Sequence, residues 1–226
     1  MKKATNHLVQ SAFMLLLALT AFLVEANADE LTVYNGSNTN SYVPFYGYYA
    51  DYGTRSQFII PATMLTDLDG GEINKITFYS SSASASFNQG VTVYLKEVDY
   101  TTFASAALED WSSMTAVYTG TIGVSNSQMV INLTSPYSYD GGNLMIGLQV
   151  TTWGTSCPSI SWYGVNQTSG TYTAVYNNAN SSHTWNNTIN SQNFIPKTTF
   201  TYEVIFQLVQ SPRTLRYPTS PPTQPL

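Results

Sequence analysis

Runs of alternating polar and apolar residues fill most of this chain and commit it to β-strands. In INKITFYSS (73–81), the apolar Ile76 and Phe78 alternate with Lys75 and Thr77. A period of two residues is that of a strand, whose successive side chains point to opposite faces, whereas helical periodicity is nearly absent. Comparable runs are VTVYLKEV (91–98), MVINLT (129–134), NLMIGLQVT (143–151), SISWYG (159–164), TYTAVYN (171–177) and TTFTYE (198–203).

Turn residues separate these runs. The triplet DGG occurs at 69–71 and again at 140–142, each time just before a run, and glycine supplies the positive φ that tight connections need. One weak helical candidate, ASAALEDWSSM (104–114), predicts only a turn or two in a crossing loop. About ten strands without alternating helices predict two stacked antiparallel sheets. The expected fold class is therefore all-β, an antiparallel two-sheet β-sandwich of jelly-roll-like topology.

The first 28 residues have the pattern of a signal peptide. Lys2 and Lys3 precede a mostly apolar run at 12–24, which ends in the small-x-small sequence ANA at 26–28. The apolar run is shorter than the roughly 20 residues that a bilayer-spanning helix needs, and no later run comes close. We therefore predict a cleaved signal peptide over 1–28, a secreted or cell-surface location, and no transmembrane segment after cleavage.

The composition changes after residue 203. Five prolines occur among the last fifteen residues, which predicts a disordered proline-rich tail over 204–226 after a β-sandwich domain over 29–203. The genetic code offers a second hypothesis. Suppose that the coding sequence from Pro212 onward is read in a shifted frame, in which each new codon consists of the third base of one codon and the first two bases of the next. This frame can encode P-x-N-L-A-V-S-D-I-T-T-N-S-A. Because that sequence is similar to the opening strand of a fibronectin type III domain, the tail is alternatively a frameshifted remnant of one.

Charge and cysteine content exclude several classes of function. Charged residues make up 9% of the chain, against roughly 25% in ordinary globular domains, so solubility must depend on Ser, Thr, Asn and Gln. Residues 29–203 carry twelve acids and four bases, a net charge of −8, which repels nucleic-acid phosphates and anionic membranes. The single cysteine, Cys157, excludes an internal disulfide and a cysteine cluster for zinc.

The sequence contains no convincing catalytic constellation, and we expect a noncatalytic protein without a cofactor. His183 is the only histidine after the signal peptide, so a nucleophilic device would have to pair it with Cys157. A small buried hydrophobe is the commoner role of a free cysteine. Glu97 and Asp99 lie on one strand face and loosely resemble the E-x-D-x-x-E strand of sandwich glycosidases, but position 102 is threonine rather than the second glutamate.

The acids around the first DGG triplet offer one metal alternative. Asp67, Asp69 and Glu72 could ligate a structural Ca²⁺ together with backbone carbonyls. The spacing lacks the later ligands of an EF-type loop, and turn formation explains the same residues without an ion.

The segment YVPFYGYYADY (42–52) contains five tyrosines and one charged residue, Asp51. One interpretation is sheet packing, because tyrosine is a good strand former and alternate rings can pack inward with their hydroxyls at the rim. The other is an aromatic surface for a ligand. In a strand, the adjacent Tyr48 and Tyr49 would point to opposite faces, so at least one should be exposed or lie under a loop.

Two further segments are predicted to be loops that carry aromatic residues. WGTSCPS (153–159) begins with Trp153 and breaks at a glycine and a proline, and the polar segment NNANSSHTWNNTINSQN (177–193) contains Trp185. Loops of this length are often functional. If Trp185 stands open rather than tucking against the sandwich, it offers a flat apolar platform to sugar C–H groups while amides bind the hydroxyls. The predicted polar partners are Asn186, Asn187, Gln192 and Asn193.

Five segments together resemble a sandwich domain of secreted proteins from bacteroidete-type anaerobes, in which it often precedes fibronectin type III or similar modules. These segments are RSQFIIPA (55–62), INKITFYSS (73–81), VTVYLKEVDYTTF (91–103), PYSYDGGNLMIGL (136–148) and NFIPKTTFTY (193–202). The resemblance covers nearly all of the mature region and implies a noncatalytic surface or adhesin-like module. It brings no catalytic residues, and the tail departs from it because no second domain follows.

The sequence therefore favours a secreted or cell-surface binding or adhesion module that recognises a glycan or a host-surface protein through exposed aromatic residues. The alternative is an architectural spacer that holds other domains away from the cell. A glycoside hydrolase or a protease is the less favoured third hypothesis.

Overall fold

The computed structural model describes residues 28–204, which form β-strands and short 3₁₀ helices. The strands of the first half are β1 Asp29–Val33, β2 Asn38–Asn40, β3 Thr54–Ile60, β4 Gly71–Tyr79, β5 Ala85–Ser86, β6 Gly90–Val98, β7 Thr115–Gly120 and β8 Gly123–Val124. Those of the second half are β9 Gln128–Ser138, β10 Asn143–Thr152, β11 Trp162–Asn166, β12 Ala174–Asn178, β13 Asn190–Gln192, β14 Phe194–Pro196 and β15 Thr198–Val204. The 3₁₀ helices are Gly47–Tyr49, Ala62–Met64, Thr66–Leu68 and Trp111–Ser113.

Two antiparallel sheets make up most of the fold. The first sheet has the order β1-β15-β4-β9 and the second sheet the order β13-β12-β3-β10-β6-β7, while two small sheets, β14-β11-β2 and β5-β8, lie beside them. When β12 and β13 are set aside, the two main sheets contain eight strands. If these eight are renumbered 1 to 8 in chain order, the first sheet has the order 1-8-3-6 and the second sheet the order 2-7-4-5. This is the strand order of a jelly roll. The predicted all-β antiparallel sandwich is therefore confirmed.

The core lies between the two main sheets. Phe58 of β3 and Phe78 of β4 meet edge to face across it, with ring centroids 5.9 Å apart. Strands of both sheets contribute fully buried side chains to one apolar cluster, including Ile76, Phe200, Leu95 and Leu148. Burial of apolar surface on this scale stabilises a small domain without a disulfide.

A β-bulge at position 74 adjusts the strand pattern of β4. With a strict two-residue period, Ile73 and Ile76 would point to opposite faces, yet both are fully buried in the core. The pairing of β4 with β9 and with β15 shifts register beside Asn74, and such an extra residue reverses the side-chain alternation beyond it. The bulge therefore turns a third apolar residue of β4 inward, beside Ile76 and Phe78.

A loop covers part of the outer face of the second sheet. Ile59, Met145 and Val175 point outward there and pack against Phe103 and Met114 of the segment 99–114. This segment includes the predicted helical turn, which is the 3₁₀ helix Trp111–Ser113, capped by the Asp110 carboxylate on the Ser112 N–H at 2.9 Å. The fully buried Gln57 side chain fixes the loop by donating to the Glu109 carbonyl (3.1 Å) and accepting from the Glu109 N–H (2.7 Å).

Within residues 28–204, no helix has the length and apolar character needed to cross a bilayer. The signal peptide predicted over 1–28 and the tail predicted over 204–226 fall almost entirely on 1–27 and 205–226, outside the described residues.

Candidate ligand-binding surface

The aromatic side chains of the two predicted loops meet at one end of the second sheet. Trp153 follows the last residue of β10, and its ring stacks on His183 with centroids 4.4 Å apart and planes 7° apart. Trp185 lies 6.3 Å from Trp153, and the Arg55 guanidinium of β3 sits over its ring at 4.3 Å. These four residues are called the Trp153 cluster. The cluster brings together residues from two loops, which are about thirty positions apart in the sequence, and from strand β3.

A glycine makes room for this cluster. Gly53, with φ +121°, precedes β3, and a Cβ there would stand 2.6 Å from Cζ3 of Trp153. The absence of a side chain at position 53 therefore lets the indole pack against the backbone just before β3. Trp153 remains 42% exposed and His183 is exposed, so the stacked pair presents a large ring surface to solvent.

Backbone hydrogen bonds fix the loop that carries His183 and Trp185. The Asn180 side-chain oxygen accepts from the backbone N–H groups of Ser182 (3.0 Å) and Thr184 (3.1 Å). The buried Asn177 amide donates to the carbonyls of Asn186 (2.9 Å) and Thr188 (2.5 Å). This polar loop is therefore held in a definite conformation, which lowers the entropy lost when a ligand binds.

Arg55 is the one cation of this site. Its guanidinium is half-buried, burial lowers its pKa from the usual value, and its Nε has no hydrogen-bond partner within residues 28–204. Its packing against the indole face is a cation–π contact, which is favourable where the charge is partly desolvated. The site thus combines flat apolar surface with an unsatisfied donor.

Six tyrosines form a second aromatic group on the neighbouring loop. This tyrosine ladder consists of Tyr42, Tyr46, Tyr48, Tyr49, Tyr52 and Tyr176, with successive ring centroids 4.6 to 6.3 Å apart. Burial, together with Tyr42 and Tyr46, raises the pKa of Tyr176 to about 12. At the other end of the ladder Tyr48 is 58% exposed, so the ladder contributes both to packing and to the surface.

The strand assumed for this segment is not present. Gly47–Tyr49 is a 3₁₀ helix, so Tyr48 and Tyr49 are not presented on opposite faces of a strand. A Cβ at Gly47 would stand 2.4 Å from the Pro158 carbonyl oxygen and 2.7 Å from the Ile160 side chain. The backbone therefore approaches the loop after Trp153 too closely for any side chain at position 47, which requires glycine.

The structure places the other predicted contact residues unequally. Asn186 and Asn187 are exposed beside Trp185. Gln192, in contrast, pairs with Ala174 near the far end of β12, and its side-chain oxygen accepts from the Asn40 amide at 2.8 Å. The Asn193 amide donates to the Gln167 carbonyl at 2.9 Å. Only the first two amides are therefore available to a ligand on the Trp153 cluster.

The candidate acids lie elsewhere and are engaged in turns. The Glu97 carboxylate accepts from the N–H groups of Asp140 (2.9 Å) and Gly142 (2.6 Å), which fixes the second DGG turn. Asp99 is exposed just beyond β6. A Cβ at Gly141 would stand 2.8 Å from the Asp69 carboxylate, which shows that this acid packs against the same turn.

Residues 28–204 contain no group of three or more His, Cys, Asp or Glu side chains that could hold a metal ion. Asp67 lies in a 3₁₀ helix and Glu72 in β4, opposite Ser138. The structure therefore does not assemble Asp67, Asp69 and Glu72 into the calcium site considered from the sequence. Cys157 is free and exposed, so the interpretation as a small buried hydrophobe is wrong, and the His183 ring is stacked on Trp153.

Sequence reasoning missed two residues of the site. Arg55 was seen only as part of a strand, although a lone arginine in the run RSQFII was a signal. Asn177 looked like one of many loop asparagines, yet it anchors the loop of Trp185. Comparison of the chain with models of known protein families and with curated proteins found no match.

Proposed function

We propose that this protein is a noncatalytic binding or adhesion module of a secreted or cell-surface protein, and that it recognises a glycan through the Trp153 cluster. The observation that carries the proposal is the parallel, solvent-exposed stack of Trp153 on His183 beside Trp185. Sugar rings present C–H groups on their flat faces, which pack well on aromatic faces of this kind. Asn186 and Asn187 lie beside the rings as partners for hydroxyl groups.

The position of the cluster supports presentation to a ligand. Asp29 of β1 pairs with Tyr202 of β15, so the described chain enters and leaves the sandwich at one end. That end also holds the DGG turn before β10, whereas Trp153 follows the other end of this ten-residue strand. Ten strand residues span roughly 30 Å, which places the cluster at the tip farthest from the flanking chain.

The same topology separates this proposal from the spacer alternative. A module that holds two domains apart works best when the chain enters at one end and leaves at the other. Here β1 and β15 are antiparallel neighbours, so the sandwich projects sideways from the chain. This geometry suits a projecting recognition unit better than an extended linker.

The resemblance to sandwich domains of bacteroidete-type surface proteins and the low charge of the chain are consistent with this role. A hydrolytic role gains no support from the acids, because Glu97 is bound to two backbone N–H groups. A host-surface protein is the second kind of partner that the aromatic tip could bind, since exposed aromatic residues are frequent anchors of protein interfaces.

A binding panel tests the proposal. The purified protein is applied to an array of plant, microbial and host glycans and to a set of matrix proteins, and glycan ligands are expected. Trp153→Ala should weaken binding by roughly tenfold or more, as loss of a central aromatic anchor does. Tyr172→Ala is the matched control, because Tyr172 is 39% exposed outside the cluster. Absence of any glycan ligand, or equal loss in both variants, would contradict the proposal.

A further inference from the structure

A row of polar side chains crosses the outer face of the second sheet next to the Trp153 cluster. Each member of the row is paired with the next on the neighbouring strand. From β12 to β7 the row reads Asn177, Arg55, Gln149, Thr92 and Thr119. Directly opposed residues share a face of a sheet. The row therefore spans five strands, roughly 19 Å at the usual strand spacing.

Aromatic side chains flank this row on both sides. Trp153 and Trp185 lie toward the tip. In the opposite direction, the next positions of the sheet are Gly147 and Tyr94. The Trp111 ring packs against both positions. Its centroid lies 5.1 Å from the Tyr94 ring centroid, and a Cβ added at Gly147 would stand 2.7 Å from Cζ3 of Trp111. The polar row thus crosses the strands between aromatic side chains on both sides. Asn177 is fully buried beneath the Trp185 loop, so the strip available to a ligand, called the groove, runs from Arg55 to Thr119.

Buried polar atoms without partners concentrate on this face. Within residues 28–204, four buried side-chain N or O atoms make no hydrogen bond, and three of them belong to Arg55, Asn177 and Trp111. Such atoms are rare in folded proteins and call for an explanation, such as local strain, an ordered water or ion, or a functional role. The outer face of the first sheet differs, because Thr199 is hydrogen-bonded to both Thr32 and Tyr79 at 2.7 Å.

The charge of Arg55 also has no counterpart in the described chain. Lys75 and Lys96 pair with Glu30 and Glu109, each at 3.4 Å, whereas Arg55 and Lys197 form no salt bridge within 28–204. Of these two unpaired cations, only Arg55 lies on the second sheet beside the Trp153 cluster. A guanidinium is suited to bind a carboxylate with two parallel hydrogen bonds. A ligand carboxylate on the guanidinium would supply the missing counter-charge.

Most acidic residues of the chain lie far from the groove. Nine of the twelve acids in 29–203 lie around the end where the chain enters and leaves: Asp29, Glu30, Asp67, Asp69, Glu72, Glu97, Asp99, Asp140 and Glu203. That end is roughly 30 Å from the tip by the length of β10, well beyond the Debye length of about 8 Å at physiological salt. The remaining three acids are nearer: Asp51 precedes Gly53 by two positions, and Glu109 and Asp110 directly precede Trp111. An anionic ligand must therefore be held by Arg55 against these three charges.

We propose that this groove binds an acidic glycan, a chain that includes uronate residues, with one carboxylate on Arg55. Neighbouring sugar rings then stack on the Trp153 cluster, and further hydroxyl groups contact Gln149 and Thr119 along the row. The inference rests on the proposed glycan-binding function and specifies its ligand class and the direction of the bound chain.

Calorimetric titration with matched glycans tests the inference. The probes are oligomers of galacturonate, mannuronate and glucuronate, each paired with its carboxyl-reduced neutral counterpart. At least one acidic oligomer is expected to bind about tenfold or more tightly than its neutral partner. Arg55→Met should weaken acidic binding by about 10- to 100-fold, as expected for a lost charge-assisted hydrogen bond, and should weaken neutral binding by a clearly smaller factor, because the loss of the guanidinium also alters the packing on Trp185.

Lys197→Met is the matched control, because the Lys197 ammonium also lies over a ring, that of Tyr79 in the first sheet, at 4.1 Å. It should bind all oligomers as the unmodified protein does. If Arg55→Met does not fold, the unmodified protein provides the test, since acidic binding must weaken when NaCl rises from 50 to 500 mM. Equal affinity for acidic and neutral oligomers, or acidic binding that is indifferent to both Arg55 and salt, would overturn the inference alone. Failure to bind any glycan would instead remove the proposed function on which it rests.

Discussion

Replacing Gly53 by alanine would place a methyl group where the Trp153 ring lies. The new Cβ would stand 2.6 Å from Cζ3 and 3.2 Å from Cη2 of Trp153, and 3.3 Å from Cβ of Ala179. In a close-packed structure the indole must move by about 1 Å to restore normal contact. Because Trp153 stacks on His183 at 4.4 Å, this movement should disrupt the stack.

The expected loss of stability has two parts. Alanine at φ +121° costs about 1–3 kcal/mol of backbone strain, and loss of the stacked pair removes about 0.5–1.5 kcal/mol. The free energy of unfolding of Gly53→Ala should therefore fall by about 2–4 kcal/mol. Each kcal/mol corresponds to a decrease in Tm of about 2–4 °C for a protein of this size.

Urea unfolding of single and double variants separates the two parts. Gly70→Ala is the backbone control, since Gly70 has φ +72° and no atom lies within 4 Å of its added Cβ. In a Trp153→Ala background, Gly53→Ala should cost less by the stacking part, about 0.5–1.5 kcal/mol. An equal cost in both backgrounds would refute the packing of Trp153 on Gly53 and, with it, the geometry of the cluster.

Three further outcomes are expected. Trp162→Phe should lower the free energy of unfolding by about 2–4 kcal/mol, because the buried indole N–H donates to the Phe45 carbonyl at 2.8 Å; a loss below 1 kcal/mol would contradict this. Glu97→Gln should cost about 1–3 kcal/mol in urea unfolding, because it weakens the carboxylate bond to the Gly142 N–H; unchanged stability with abolished hydrolysis of a glycan would instead show a catalytic acid. Burial raises the pKa of Tyr176 to about 12, so the folded state retains a proton that the unfolded state loses above pH 10. Stability should therefore fall by up to about 1.4 kcal/mol per pH unit between pH 10 and 12 for this residue, and Tyr176→Phe should flatten the curve; parallel curves would contradict the assignment.

Most of the fold can be predicted from local alternation, and the exceptions depend on partner strands. The two-residue period identifies β4, β6 and β9 because each of these strands buries mainly one face, whereas the middle of β10 is buried on both faces. It does not predict the bulge at Asn74 that turns Ile73 inward, since this bulge is defined by the register with β9 and β15. The period also cannot reveal that the tyrosine segment forms a 3₁₀ turn.

The site was predictable residue by residue but not as an assembly. An isolated tryptophan in a polar loop indicates a ligand surface, which singles out Trp153 and Trp185 separately. Their contact depends on β10 and β12 ending at the same tip, which is a property of topology. Gln192 is the opposite case, a residue close to Trp185 in the sequence but distant in space. It pairs with Ala174, whereas Trp185 pairs with Ala179. These five positions correspond to roughly 17 Å along the strand.

The indole N–H resonances of the purified protein provide the most direct test of recognition at the tip. Four tryptophans occur in the chain, and their side chains report on different places: Trp153 and Trp185 on the cluster, Trp111 on the groove wall, and the fully buried Trp162 on the core. On titration with a glycan ligand in a ¹⁵N–¹H correlation experiment, the signals of Trp153 and Trp185 should move in a saturable manner while that of Trp162 stays in place. A saturable ligand that leaves both cluster signals unchanged would contradict the account.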